Sequence, residues 1–183
     1  MLKIIKSPIV LISLMILSAS LSRLLTNQLH LWNFTPIAAM ALFSGSHFRD
    51  KKYAFLVPLI AMLITDAVIG FHSGMLVVYG VLILITFLGF TLRNNVRVFP
   101  VLGASLLSSV IFFVITNFSV WIGSTLYPHN LSGLIACFAA GIPFFGNTLA
   151  GDLFYCSVLF GGYAFISRRH SVMQIAIKQE SDQ

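Results

Sequence analysis

Three ionisable side chains stand inside long apolar runs of the sequence: Arg23, Asp66 and Asp152. Such groups are costly within a bilayer, a few kcal/mol on insertion scales, and are functional candidates for that reason. Two carboxylates brought together can share one proton and work as general acid and base. A carboxylate without a fixed partner can instead hold the polar end of a bound molecule or carry a proton. An arginine and an aspartate at one depth can pair and serve structure alone.

The spacing around each residue narrows these choices. Counting about 1.5 Å per residue from Tyr53 puts Asp66 roughly 20 Å along its segment, the level that Arg23 reaches on another, so an Arg23–Asp66 ion pair is one explanation of the two, beside a role for Asp66 in binding. Asp152 has no such partner in view. Helical spacing groups Phe144, Thr148, Asp152 and Tyr155 on one stripe, with Asn147 and Gly151 alongside. Asn117 and Trp121, four apart, offer an amide and an indole at a matching depth. Asn33 and Thr35 in the first connection, Asp66 and His72 around the second and Tyr79 beyond it complete the polar inventory. Together they predict an outward-facing cavity with apolar and aromatic walls and a few placed polar groups. In that cavity Asp152, Asn147 and Asn117 would fix the polar part of a small heteroaromatic or amine-bearing ligand, with its rings against Trp121 and Tyr155. The competing expectation is that these amides and the carboxylate hold helices together, each bond contributing about 0.6 kcal/mol.

The elements that must position these residues follow from composition. Of the 183 residues, 58% are hydrophobic and 9% charged, and the mean hydropathy is +0.95, far from the globular average. The reading is a single all-α integral membrane domain over 1–183. Its six spans are expected at about 8–25, 35–48, 53–71, 75–92, 99–126 and 142–166. A helix needs about 20 residues to cross a bilayer, so the second segment is short. It must tilt little, thin the bilayer, or leave one end as irregular backbone lining a cavity. Residues 131–140 suggest a short helix on the outer face, set off from the last span by Gly141 and Pro143, and 168–183 a cytoplasmic tail.

Charge fixes the orientation. Lys3 and Lys6 precede the first span, and Arg49, Lys51 and Lys52 lie between the second and third. Arg93 and Arg97 lie between the fourth and fifth, and Arg168, Arg169 and Lys178 follow the sixth. These positions alternate with loops carrying Asn27, His30, His72, Tyr127 and His129. The positive-inside rule then places both termini in the cytoplasm, with the protein multi-pass in a bacterial cytoplasmic membrane surrounded by lipid. The net charge of +6 is thus spent on topology, and nucleic-acid binding is not expected. Cys137 and Cys156, far apart, indicate neither a disulfide framework nor a metal site, and no cofactor is expected.

Lys3, Lys6, the apolar run and Ser18-Ala19-Ser20 also have the pattern of a cleavable signal peptide. The apolar run continues to Leu25, which favours a retained helix. Ser18, Ser22 and Thr26 recur every four residues and form a small-residue stripe for close helix approach. The stripe serves contact within the bundle, or docks a separate membrane subunit.

Leu21-Ser-Arg-Leu-Leu25, Asn33-Phe-Thr-Pro-Ile-Ala-Ala-Met-Ala-Leu-Phe-Ser-Gly45 and Ala54-Phe-Leu-Val-Pro-Leu-Ile-Ala-Met-Leu-Ile-Thr-Asp-Ala-Val-Ile-Gly70 come in an order that resembles the front half of the substrate-binding S components of energy-coupling factor (ECF) vitamin transporters. That resemblance implies six helices, cytoplasmic termini and an outward-facing pocket for a vitamin-like micronutrient. It also implies a partner scaffold in the membrane powered by two cytoplasmic ATPases. S components usually carry an alanine stripe where this chain has Ser18, Ser22 and Thr26, which leaves the partner less defined than the pocket. The chain as a whole resembles a bacterial family of transport proteins with no assigned substrate, through Asn33-Phe-Thr-Pro36, Ile115-Thr-Asn-Phe-Ser-Val-Trp121 and Asn147-Thr-Leu-Ala-Gly-Asp152.

Other classes fit less well. Thr65-Asp66 and Ala150-Gly-Asp152 share part of the signature of intramembrane aspartyl proteases, but no tyrosine precedes Asp66. Neither GxSxG, HExxH nor a nucleotide-binding P-loop occurs, so no enzyme is expected and any ATP hydrolysis belongs to another chain. A self-sufficient carrier driven by protonation of Asp152 and a purely structural membrane role are the remaining alternatives.

Overall fold

The computed structural model describes the backbone of residues 8–181 and the side chains of residues 12–167. Lys3 and Lys6, and the side chains of Arg168, Arg169 and Lys178, lie outside the described residues. The architecture is all-helical: α1 (Pro8–Gln28), α2 (Ile37–His47), α3 (Lys51–Ile69), α4 (Met75–Thr91), α5 (Val98–Gly123) and α6 (Leu131–Ser181). Among the described residues, Lys51–Ile69, Val98–Gly123 and Leu131–Ser167 are long and apolar enough to cross a membrane. Ile37–His47 and Met75–Thr91 are apolar but shorter. Leucines 14, 17, 21 and 25 of α1, Leu106, Leu107 and Val110 of α5, and Phe154 and Val158 of α6 are exposed. Ser44, Thr65, Asp66, Thr86, Ser105, Ser108, Ser109 and Asp152 are buried. Apolar groups outside and polar groups inside are the arrangement of a helical protein solvated by lipid, where polar side chains turn toward one another.

The short α2 is the centre of the bundle. It touches each of the other five helices, and Ile37 through Ser46 are all buried. At 1.5 Å per residue its eleven residues span roughly 16 Å, about half the hydrocarbon thickness. It is preceded by irregular backbone over 29–36. Around α2 the other helices bury faces at helical spacing: Val81, Leu82, Ile85, Thr86 and Gly89 on α4, and Val101, Ala104, Ser105, Ser108 and Ser109 on α5.

Proline and glycine show how tertiary contacts decide local structure. Pro58 lies inside α3, where its missing N–H frees the carbonyl of Ala54 four residues earlier. The Ser44 hydroxyl of α2 donates to that carbonyl at 2.7 Å, so the helix continues with no orphaned acceptor. Asp50 caps the start of α3, its Oδ1 accepting from the Lys52 N–H at 2.9 Å.

The sequence divided 131–140 from 142–166, and the structure corrects this: α6 is one helix with Pro143 inside it. Gly141 is a packing residue here, since a Cβ at this position would overlap the Asn117 side chain of α5. The glycine thus lets α6 lie close against α5, the most extensive helix pair in the bundle.

Candidate functional site

Arg23 and Asp66 form the ion pair that their depth allowed. Arg23 Nη1 donates to Asp66 Oδ1 at 2.7 Å, and the same nitrogen contacts the Thr65 hydroxyl. The Tyr79 hydroxyl donates to Asp66 Oδ2 at 3.1 Å. Both carboxylate oxygens are therefore occupied, and Asp66, with its side chain 1% exposed, is the buried counter-ion of Arg23. Asp66 holds Arg23, Tyr79 holds Asp66, and neither Asp66 nor Tyr79 lines the cavity beside them.

That cavity, of about 180 Å³, is lined on its polar side by Arg23, Asn33, Thr35, His72, Thr148 and Asp152. Its apolar walls include Met62, Val78, Leu82 and Phe112, and Ile37 and Ala38 from the first turn of α2. Two spaces of about 120 Å³ adjoin it. One shares Arg23, Asn33 and Thr35, and the other shares Asn33, Phe112 and Thr148 and reaches Asn117. Asn33 is common to all three.

Asp152 is 2% exposed. The Ser109 hydroxyl of α5 donates to its Oδ2 at 2.6 Å, and the Ser108 hydroxyl lies beside it. Among the described residues no basic side chain pairs with it. The two aspartates thus have separate partners, and no bond joins them into an acid–base pair.

The loop over 29–36 closes one side of the site, and α6 is the rail that holds it. Asn147 Nδ2 donates to the Trp32 carbonyl at 3.1 Å, and the Phe144 ring lies 6.1 Å from Trp32. One turn on, Gly151 lets the loop backbone in: a Cβ there would stand 3.1 Å from Phe34 Cα and 3.2 Å from Thr35 N. The Phe34 ring then packs on Phe154 and Tyr155, at 5.9 and 5.6 Å. His30 and Asn33 have φ of 57° and 66°, the left-handed region, which costs a non-glycine residue about 1 kcal/mol or more unless its surroundings hold it. The segment Asn147-Thr-Leu-Ala-Gly-Asp152 therefore pins the loop with its first and fifth residues and faces the cavity with its second and sixth.

The other expected site residues are used differently. Trp121 Nε1 donates to the Pro128 carbonyl at 3.0 Å, and Asn117 Nδ2 donates to the Phe113 carbonyl at 2.8 Å. Tyr155 Oη is 2.6 Å from Ser22 Oγ, across to α1. Trp121, Asn147 and Tyr155 do not line the cavity that holds Asp152, and Asn117 lines only its neighbour. Of the stripe on α1, only Ser18 is exposed; Ser22 faces Tyr155, and Thr26 is buried with its hydroxyl on the Arg23 carbonyl. Thr148, grouped with Asp152 by helical spacing, lines the cavity, and so do Arg23 and Phe112, which were not singled out for it. The cue for Arg23 was its charge inside an apolar run, since a guanidinium paired through one nitrogen keeps further N–H donors to present.

Fold and site together define a helical membrane protein with a polar cavity enclosed between its helices and a pinned loop. The chain belongs to a family of unknown function (DUF6580), which it matches over residues 3–175. No curated protein and no solved structure matches it.

Proposed function

We propose that this protein binds a small vitamin-like micronutrient in the cavity beside Asp152 and serves its uptake, as an S component-like subunit of a membrane transporter. The observation that carries this reading is the cavity itself, where Arg23, Asn33, Thr35, His72, Thr148 and Asp152 converge among apolar walls. Side chains that only join helices need no shared space, and a buried carboxylate is a costly joint.

In this reading the chain crosses the bacterial cytoplasmic membrane six times, with α2 and the 29–36 segment making one crossing together and both termini inside. Arg49, Lys51 and Lys52 sit beyond the C-terminal end of α2, with Arg93 bonded to that end, while Ile37 and Ala38 at its N-terminal end line the cavity. Cytoplasmic basic loops then leave the cavity facing outward, as uptake requires. A scaffold with two ATPases would meet α1 through Ser18 and the exposed leucines 14, 17, 21 and 25, since Ser22 and Thr26 are engaged inside.

The test is mass spectrometry of small molecules released from protein purified in mild detergent, beside the Asp152→Asn variant. One compound enriched in the first and lost in the second supports the reading. Empty protein in both overturns it in favour of a structural role.

A second reading, a self-sufficient proton-coupled carrier, is favoured by the hydroxyl-only surroundings of Asp152, which leave its charge free to change. It predicts uptake that persists without any ATPase partner and stops when an uncoupler collapses the proton gradient.

A further inference from the structure

The charge balance of the cavity points to the class of its ligand, and this step rests on the reading that a small molecule binds there. Arg23 brings a positive charge to the wall, but Asp66 meets it at 2.7 Å, so the pair adds no net charge. Asp152 brings a carboxylate that no basic side chain among the described residues pairs with. Its contacts are the Ser109 hydroxyl on Oδ2 at 2.6 Å and the neighbouring Ser108 hydroxyl. His72 is the remaining titratable group on the wall, at the α3–α4 loop, where it is exposed. A carboxylate can accept about four hydrogen bonds, so two hydroxyls leave capacity for a donor from the cavity.

The remaining walls constrain shape. Met62, Val78, Leu82 and Phe112 offer apolar surface to a flat or narrow body. A volume of about 180 Å³ lies below the ~300 Å³ at which pockets for drug-sized ligands begin. There is room for one ring or a short alkyl chain, with the adjoining spaces at Asn33 and Asn117 open to a substituent.

We infer that the ligand is a small organic monocation whose charged nitrogen carries at least one N–H, with that nitrogen donating to Asp152 and its apolar body lying between Met62, Leu82 and Phe112. Carboxylates and phosphorylated molecules gain no donor from Asp152 and are opposed by its carboxylate, leaving them only the outer N–H groups of a paired Arg23, and a neutral alcohol of the same shape lacks the charge that strengthens the bond.

The experiment uses the detergent-purified full chain and three probe series on common skeletons: benzylamine and propylamine to hexylamine, the matching alcohols, and the matching carboxylates. Binding is read by microscale thermophoresis and by the shift in melting temperature. The best amine should bind about tenfold or more tighter than its alcohol, with no detectable binding of the carboxylate, as a charge-assisted bond implies. Asp152→Asn should erase the preference for the amine over the alcohol while the protein still melts cooperatively. Equal binding of amine and alcohol by the native protein overturns the assignment without need of any variant. The molecule released from the native protein separates the two levels of the argument. A released anion or uncharged compound keeps the ligand-binding reading and overturns the cation, whereas no released molecule and no binding probe overturn both.

Discussion

The two ends of α2 are built on opposite plans. At the C-terminal end the packing is closed. Gly45 of α2 lies against Gly89 of α4 so closely that a Cβ on either would strike the other helix's backbone. The carbonyls there are taken: Arg93 donates through Nε to Gly45 O at 2.9 Å and through Nη2 to Phe48 O at 2.7 Å, and its guanidinium lies 4.5 Å from the Phe90 ring. Rings of Phe43, His47, Phe160 and Tyr163 fill the adjoining space. At the N-terminal end α2 is preceded by a loop with two strained residues, and polar side chains from two helices and two loops face a hollow. A region that satisfies every group internally can only hold the fold together. One that leaves a carboxylate short of partners has something to offer a ligand. The same helix supplies both because it is buried at the centre and too short to be anything but an axle.

The most severe way to break this contrast is to force the closed end apart. In Gly89→Leu the new side chain meets the Leu42 backbone carbonyl, which no rotamer change can move. The cost should be about 3 kcal/mol or more, read as loss of monodisperse protein or a large fall in melting temperature. Gly80→Leu is the control, because a Cβ there meets nothing within 4 Å. Similar behaviour of the two variants would mean that the α2–α4 crossing is not the tight joint it is taken to be.

The two aspartates sharpen the comparison with one chemical change at two places. Asp66→Asn leaves the half-buried Arg23 without its counter-charge and should cost about 3 kcal/mol. Asp152→Asn removes a buried charge on which no cation depends, so the ligand-free protein should melt no lower than the native one, while ligand binding is lost. Melting curves of both variants without ligand decide the matter, and an equal fall in each would show that Asp152 is as structural as Asp66.

A smaller effect belongs to Ser44→Ala, which orphans the Ala54 carbonyl that Pro58 has already deprived of its helical donor. An unsatisfied buried acceptor costs about 1–3 kcal/mol. Restoring the backbone donor in Pro58→Ala should recover much of that loss in the double variant. A double-mutant cycle with no coupling would refute the compensation.

These contrasts also show what could be read in the chain beforehand. The helices were legible because apolar runs and intervening charges act locally, and the Arg23–Asp66 pair because depth can be counted along a helix. Asp152 declared itself by its isolation. The rotation of each helix about its axis was not legible, since partners distant in sequence set it. Spacing put Tyr155 on the stripe of Asp152, yet its hydroxyl reaches Ser22, 133 residues away. Asn147 was read as a ligand contact, but it bonds a backbone carbonyl 115 residues away. Gly141 and Pro143 had the composition of a break, and close packing on Asn117 made them part of one helix instead.

The mildest prediction concerns that Asn147 bond. Asn147→Ala removes one hydrogen bond to the Trp32 carbonyl at the protein surface, so stability should fall by only about 1 kcal/mol. The loop it releases carries Asn33, which lines all three spaces, and two residues whose left-handed backbone is held in place by such contacts. Ligand dissociation should therefore quicken more than association, because the bound state loses a wall while the mouth of the cavity only loosens. With Trp121→Phe as background, Trp32 is the sole remaining tryptophan and its fluorescence reports the loop directly. Unchanged Trp32 emission together with unchanged dissociation would mean that Gly151 and the Phe34 rings hold the loop without Asn147. A faster release with red-shifted or quenched Trp32 would make the loop the moving part of the open end.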